Sequence, residues 1–201
     1  MRRADSAATR RWLTGIVAVS VVLRLGAAVY LGNGLAPLPG VADQLSYDTL
    51  AMRVLEGHGF TFAEGWWPAT GAGQPTAHWS FAYVLYLAGV YGGAGHVPLV
   101  PRLLQAALVG VLQPLLTWRI ASRLFGARAG LAAAGITAVY GYFVYYAGAL
   151  MTESFCIVAI LWALAVALDI GRNAGGLWVA DVMDERKIPY IGSDSRTMKA
   201  M

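Results

Sequence analysis

Apolar and polar positions fall along this chain in long blocks rather than in short alternation. Residues 12–31 form a nearly unbroken apolar run, and Arg2, Arg3, Arg10 and Arg11 precede it. A run of ~20 apolar residues is long enough to cross a bilayer core as a helix, whereas the apolar part of a cleaved leader is only ~7–15 residues. The block therefore predicts a retained span with its N-terminus on the cytoplasmic side, where basic flanks collect. Arg24 interrupts it, and a charge at that depth either faces the bundle interior as a polar or packing contact or snorkels. Further apolar blocks near 103–118, 129–150 and 154–170 predict three more spans, with Pro114 kinking the second. The block at 129–150 is dense in Ala, Gly and Tyr, as close helix packing requires.

Between the first two spans, residues 32–101 are rich in Gly, Pro, Trp and polar residues and read as an extracytoplasmic loop. From Gln44 to Leu55 the apolar residues Leu45, Ala51, Leu55 and Tyr47, Leu50, Val54 fall on neighbouring helical rows, which predicts a short amphipathic helix on the membrane surface. Asp48 belongs to the other, solvated face, and Gly57 and Gly59 end the helix. The stretch around Trp66-Trp67-Pro68 reads as an aromatic interfacial loop. Residues 80–91 are apolar but short. If they crossed, Arg119, Arg123 and Arg128 would be delivered outside, so they are placed in the interface or in a re-entrant segment.

Composition then excludes function classes. The 201 residues are 58% hydrophobic and only 13% charged, against about a quarter charged in a soluble domain. The net charge of +4 comes mostly from arginines flanking apolar blocks, a topological pattern rather than a nucleic-acid footprint. The single cysteine, Cys156, lies inside an apolar block and has no partner within the chain.

Topology brings two distant carboxylates to one side. Asp43, in the stretch Val41–Asp48, is the first acidic residue after the first span, and Glu153 opens the fourth span from the same outer side. Asp43 stands where a carboxylate can stay ionised and still reach a lipid-borne substrate and is the leading catalytic candidate, although Asp is also a good helix N-cap and either residue can serve that purpose. His58, His78 and His96 with Glu64 match no compact ligand motif, so no metal and no other cofactor is indicated.

The ordered series Asp43 with Tyr47, Leu50-Ala51, Gly57-His-Gly-Phe60, Pro75-Thr-Ala77, Tyr83, Pro101-Arg-Leu-Leu-Gln-Ala106, Arg123-Leu-Phe-Gly126, Tyr146 and Met151-Thr-Glu153 resembles the N-terminal part of the C-type membrane glycosyltransferases. The resemblance is to the protein-mannosyltransferase and aminoarabinose-transferase group, glycosyltransferase family 39. It implies transfer of a sugar from a polyprenyl-phosphate donor at the extracytoplasmic face, with Asp43 as base and Glu153 as the acidic residue of the Thr-Glu motif. It also implies Arg102 near the donor phosphate, where an interfacial anchor is the equal alternative, and it allows a divalent ion. Where relatives commonly show Arg-Pro-Pro-Gly-Tyr this chain reads Trp79-Ser-Phe-Ala-Tyr83, which leaves His78 as the nearest stand-in for the missing basic group.

After Arg172 the character changes: residues 173–201 hold both lysines and no apolar span. Within them Lys187-Ile-Pro-Tyr-Ile-Gly-Ser-Asp194 resembles a segment of D-alanine–D-alanine ligases, too short to imply ligase activity. The chain is accordingly expected to be an all-α integral membrane protein of about four spans. Its parts are a basic N-terminus (1–11), a truncated glycosyltransferase-like domain (12–172) and a cytosolic tail of foreign character. The expected site is the plasma (inner) membrane, and the expected partners are a polyprenyl-phosphate sugar, the lipid bilayer and other membrane helices, not nucleic acid. The alternative is a non-enzymatic membrane subunit packing through its Gly/Ala-rich spans; transport finds no repeat symmetry to support it.

Overall fold

The computed structural model describes the backbone of residues 2–35 and 43–174 and the side chains of residues 7–35 and 43–170. Val41, Ala42 and the ligase-like tail segment lie outside the described residues. The remainder is an all-α membrane protein: seven helices, and no strand among the described residues. They are α1 (Arg2–Leu31), α2 (Asp43–Leu55), α3 (Phe81–Ala94), α4 (Leu99–Phe125), α5 (Ala127–Val139), α6 (Gly141–Gly148) and α7 (Glu153–Ala174). Three of them contain stretches long and apolar enough to cross a membrane: Ala7–Leu31, Leu99–Phe125 and Glu153–Ile170. Pro114 lies within α4 without ending it.

The block at 129–150 departs from a single span. It is two helices, α5 and α6, separated at Tyr140, whose backbone is extended (φ −64°, ψ 113°). At ~1.5 Å per residue neither piece reaches across a ~30 Å core. A break at membrane depth needs new partners for the freed backbone groups. Here Arg24 supplies them: its guanidinium donates to the Thr137 and Ala138 carbonyls (3.1 and 3.0 Å) and to Gln113 Oε1 (2.9 Å). Arg24 also donates to Ser20 Oγ (2.6 Å), and that hydroxyl donates to the Gly110 carbonyl (2.7 Å). The mid-span arginine is therefore an internal polar contact among α1, α4 and α5, fully buried.

Direction follows from two contacts. The Leu99 N–H donates to Asn33 Oδ1 (2.9 Å), just past the C-terminus of α1, and Ser20 meets Gly110 further along both helices. So α1 and α4 run antiparallel. Gly126, at φ 90°, turns the chain from α4 into α5. The two helices then approach so closely that a Cβ on Gly130 would lie 2.7 Å from Ser122 Cβ, which is what the small residue permits.

The loop expected to lie on the surface has its own core. Tyr47, Leu50 and Ala51 of α2 are buried with Tyr83, Val84, Leu87 and Tyr91 of α3, while Leu45 and Leu55 are exposed. Asp48, expected on the solvated face, is buried instead: Oδ1 accepts from the Tyr91 hydroxyl (2.6 Å), and His96 Nε2 lies 3.0 Å from both carboxylate oxygens. Helix periodicity ranks faces by apolar residues alone. It missed this face because α3 brings its own polar partner to the carboxylate. The aromatic segment is tied down by Phe62 stacked on Trp66 at 4.6 Å and by Trp66 Nε1 donating to Ser46 Oγ (2.8 Å).

The chain divides into two compact units, residues 1–158 and 159–201. The described part of the second is the continuation of α7, with Trp162, Leu164 and Ile170 exposed.

Candidate active site

Tyr47 is the residue on which the site converges. Its ring packs edge-on against Trp79 (5.3 Å) and Tyr83 (5.0 Å). Burial pushes its phenol above the ordinary tyrosine value. A side-chain hydrogen bond with Thr152 and a backbone one with Ser80 draw it back, and the charges of Glu153 and Asp43 push it up again. Both carboxylates singled out by topology, more than a hundred residues apart in sequence, therefore act on the same phenol. A neutral phenol held against Thr152 keeps its polar end fixed between α2 and the start of α7.

Asp43 occupies the first turn of α2 and is partly exposed. The unpaired N–H groups of a first helical turn favour a negative charge there. Glu153 opens α7, is partly exposed, and its Oε2 is buried without a hydrogen-bond partner among the described residues. The Glu153 side chain is thus half-open, with one oxygen enclosed in the protein.

His78 lies at the rim of the same cluster. It is exposed and has its ring edge-on to Trp67 (5.6 Å) and Trp79 (4.9 Å), and Trp79 is the ring that packs on Tyr47. Aromatic edges and faces of this kind suit the C–H-rich faces of a sugar ring.

Arg102 is placed differently. It is fully buried in the first turn of α4; Nη1 donates to the Gly148 carbonyl (2.6 Å), and Nη2 donates to the Gly34 carbonyl (2.7 Å) and Gln44 Oε1 (3.0 Å). Only Nε is without a partner among the described residues. Three residues along, Gln105 is equally buried and donates to the carbonyls around the end of α6. Sequence reasoning passed over Gln105 and Gln44. The signal was there for Gln105: a polar side chain at i+3 from an arginine within an apolar block faces the same way as the arginine.

Among the described residues no three His, Cys, Asp or Glu side chains gather as a metal site would require. His96 is taken by Asp48, and His78 stands between two tryptophans.

A family model described as dolichyl-phosphate-mannose-protein mannosyltransferase matches residues 74–180, just over half of the chain. His78, Arg102 and Glu153 fall inside the matched segment and Asp43 lies before it. No curated protein and no solved structure matches the chain.

Proposed function

The chain belongs to the dolichyl-phosphate-mannose-protein mannosyltransferase family of membrane glycosyltransferases, and on that premise we propose that it transfers a sugar from a polyprenyl-phosphate donor to an acceptor hydroxyl at the extracytoplasmic face. The observation that carries this is that Asp43, in the first turn of α2, and Glu153, in that of α7, both bear by their charge on the Tyr47 phenol, whose ring packs on Trp79 beside exposed His78 and Trp67.

Asp43 takes the proton of the acceptor hydroxyl as its oxygen forms a bond to the anomeric carbon of the donor sugar. The bond from that carbon to the phosphate oxygen breaks, and the polyprenyl phosphate leaves with the electron pair. A general base in this position needs reach more than an unusual pKa. Glu153, partly exposed at the start of α7, orients the acceptor or a second hydroxyl of the sugar. Charge developing on the leaving phosphate is met by an N–H of His78 at the rim and, from within the protein, by the positive charge of buried Arg102.

The chain is proposed to lie in the plasma (inner) membrane, and the helix directions support a cytoplasmic N-terminus. Because α1 and α4 are antiparallel, Arg10 and Arg11 fall at the end of the bundle where Arg119 and Arg123 lie, and Asp43 follows the opposite end. Asp43→Asn in the full chain is expected to lower transfer from a polyprenyl-phosphate sugar by about 10²–10⁴-fold, the usual contribution of a positioned general base. Undiminished transfer by that variant would remove Asp43 from the chemistry.

A further inference from the structure

Helix α6 ends at Gly148, and the next residue is already extended (Ala149 φ −77°, ψ 143°). The last carbonyls of a helix have no partner inside it and are commonly met by a glycine turn or by water. Here they are met from another helix. Gln105 Nε2 lies 3.3 Å from the Tyr146 carbonyl, 3.1 Å from that of Ala147 and 2.7 Å from that of Ala149, and Arg102 Nη1 takes the Gly148 carbonyl between them. Four consecutive carbonyls are thus held by two side chains one turn apart on α4.

The orientation of the Gln105 amide is set by its other end. Tyr83 donates its hydroxyl to Gln105 Oε1 (2.7 Å), so the two N–H groups must face the carbonyls. The second terminal nitrogen of Arg102 reaches Gln44, the neighbour of Asp43 on α2. From the clamped carbonyls only Leu150, Met151 and Thr152 separate the chain from Glu153; Leu150 and Met151 are buried, and Thr152 bonds Tyr47.

We propose that Arg102 and Gln105, with Tyr83 behind Gln105, are positioning residues that fix the 149–153 segment and thereby the placement of Glu153 relative to Asp43. This rests on the reading of those two carboxylates as the site. The clamp matters because, among the described residues, the backbone hydrogen bonds of the segment before α7 are few, Met151 N–H to the Ala149 carbonyl and Cys156 N–H to the Thr152 carbonyl (both 2.9 Å), and only the second ties it to α7. A segment so short, entering a helix directly, transmits any displacement of its first carbonyls to Glu153.

The test reads position without requiring transfer. In full-length chain reconstituted in nanodiscs, Cys156→Ala removes the native thiol and Glu153→Cys reports the segment through its rate of reaction with a water-soluble maleimide. Gln105→Met, similar in volume but with no donor, is expected to raise that rate about tenfold, as for a segment that loses its principal buried hydrogen bonds and opens locally. Tyr83→Phe removes one hydroxyl and is mild enough to fold whatever Gln105→Met does. It is expected to raise the rate by about threefold. Gln113→Met, equally buried on the same helix but bonded to Arg24, is expected to leave it unchanged. An unchanged rate in both Gln105→Met and Tyr83→Phe, or an equal rise in Gln113→Met, overturns the proposal. Failure of Asp43→Asn to lower transfer would instead sink the catalytic reading and leave the labelling result as a statement about the clamp alone.

Discussion

Two fully buried arginines hold carbonyls of one interrupted segment, one at its break and one at its far end, and they do so at different depths. Arg24 collects the carbonyls of Thr137 and Ala138 before the break at Tyr140, working with Ser20 and Gln113 from α1 and α4. Arg102 collects Gly148 at the far end of α6, working with Gln105, and also reaches Gly34 and Gln44 outside the spans. Neither hydrogen-bonds to a carboxylate among the described residues; both are solvated by backbone oxygens. The inner knot joins α1, α4 and α5 inside the bundle, where no water can replace a lost partner. The outer one joins a span to α2 and to the approach to Glu153, so the same chemistry serves stability in one place and alignment in the other.

The sharpest way to break this comparison is to remove each guanidinium. Arg24→Met leaves two carbonyls and Gln113 Oε1 bare inside the bundle and is expected to cost roughly 3–5 kcal/mol. Arg102→Met, in the first turn of α4, removes a donor from the buried Gly148 carbonyl and Gln44 Oε1 but from an exposed residue at Gly34, and is expected to cost less, about 2–3 kcal/mol. Thermal unfolding in detergent ranks the two, and equal losses would erase the distinction by depth.

A finer comparison uses two glycines. A Cβ on Gly148 would lie 3.0 Å from backbone atoms of Ala27 and Ala28, and one on Gly110 would lie 3.0 Å from Val21 Cα. Each Gly→Ala change is expected to cost about 1–3 kcal/mol by overpacking. Only Gly148→Ala should also speed thiol labelling at position 153, because only it pushes the end of α6. Equal labelling rates for the two variants would show that the end of α6 does not govern Glu153.

Smaller effects come from the extramembrane core. Tyr91→Phe removes the hydroxyl given to Asp48, which keeps His96, and is expected to cost about 1 kcal/mol in urea unfolding. The smallest is a pH effect at Tyr47. Its folded phenol holds its proton more tightly than an unfolded tyrosine does. The resulting contribution is whole below the ordinary value of about 10 and is lost as pH rises past it. Stability compared at pH 9 and pH 11 should therefore fall more in the parent chain than in Tyr47→Phe; parallel loss in both would mean the phenol is not held neutral by its surroundings.

The sequence by itself determined the membrane class, the three long apolar helices, and the presence of an ordered helix directly after the first span. These depend on block length and local periodicity, which a single chain segment carries within itself. It also led to the expectation that Asp43 and Glu153 share one side of the membrane, because the orientation of alternate spans follows where the arginines fall. Tertiary structure alone decided the rest. Residues 129–150 divide at Tyr140 because Arg24, over a hundred positions earlier, meets the freed carbonyls. Asp48 is buried because α3 delivers Tyr91 to it. Arg102 spends both terminal nitrogens on carbonyls because α6 happens to end beside it. Each of these turns on where a distant segment places a hydrogen-bond partner. No local pattern encodes that, since burying a polar group costs free energy unless its partner, wherever it lies in the chain, arrives with it.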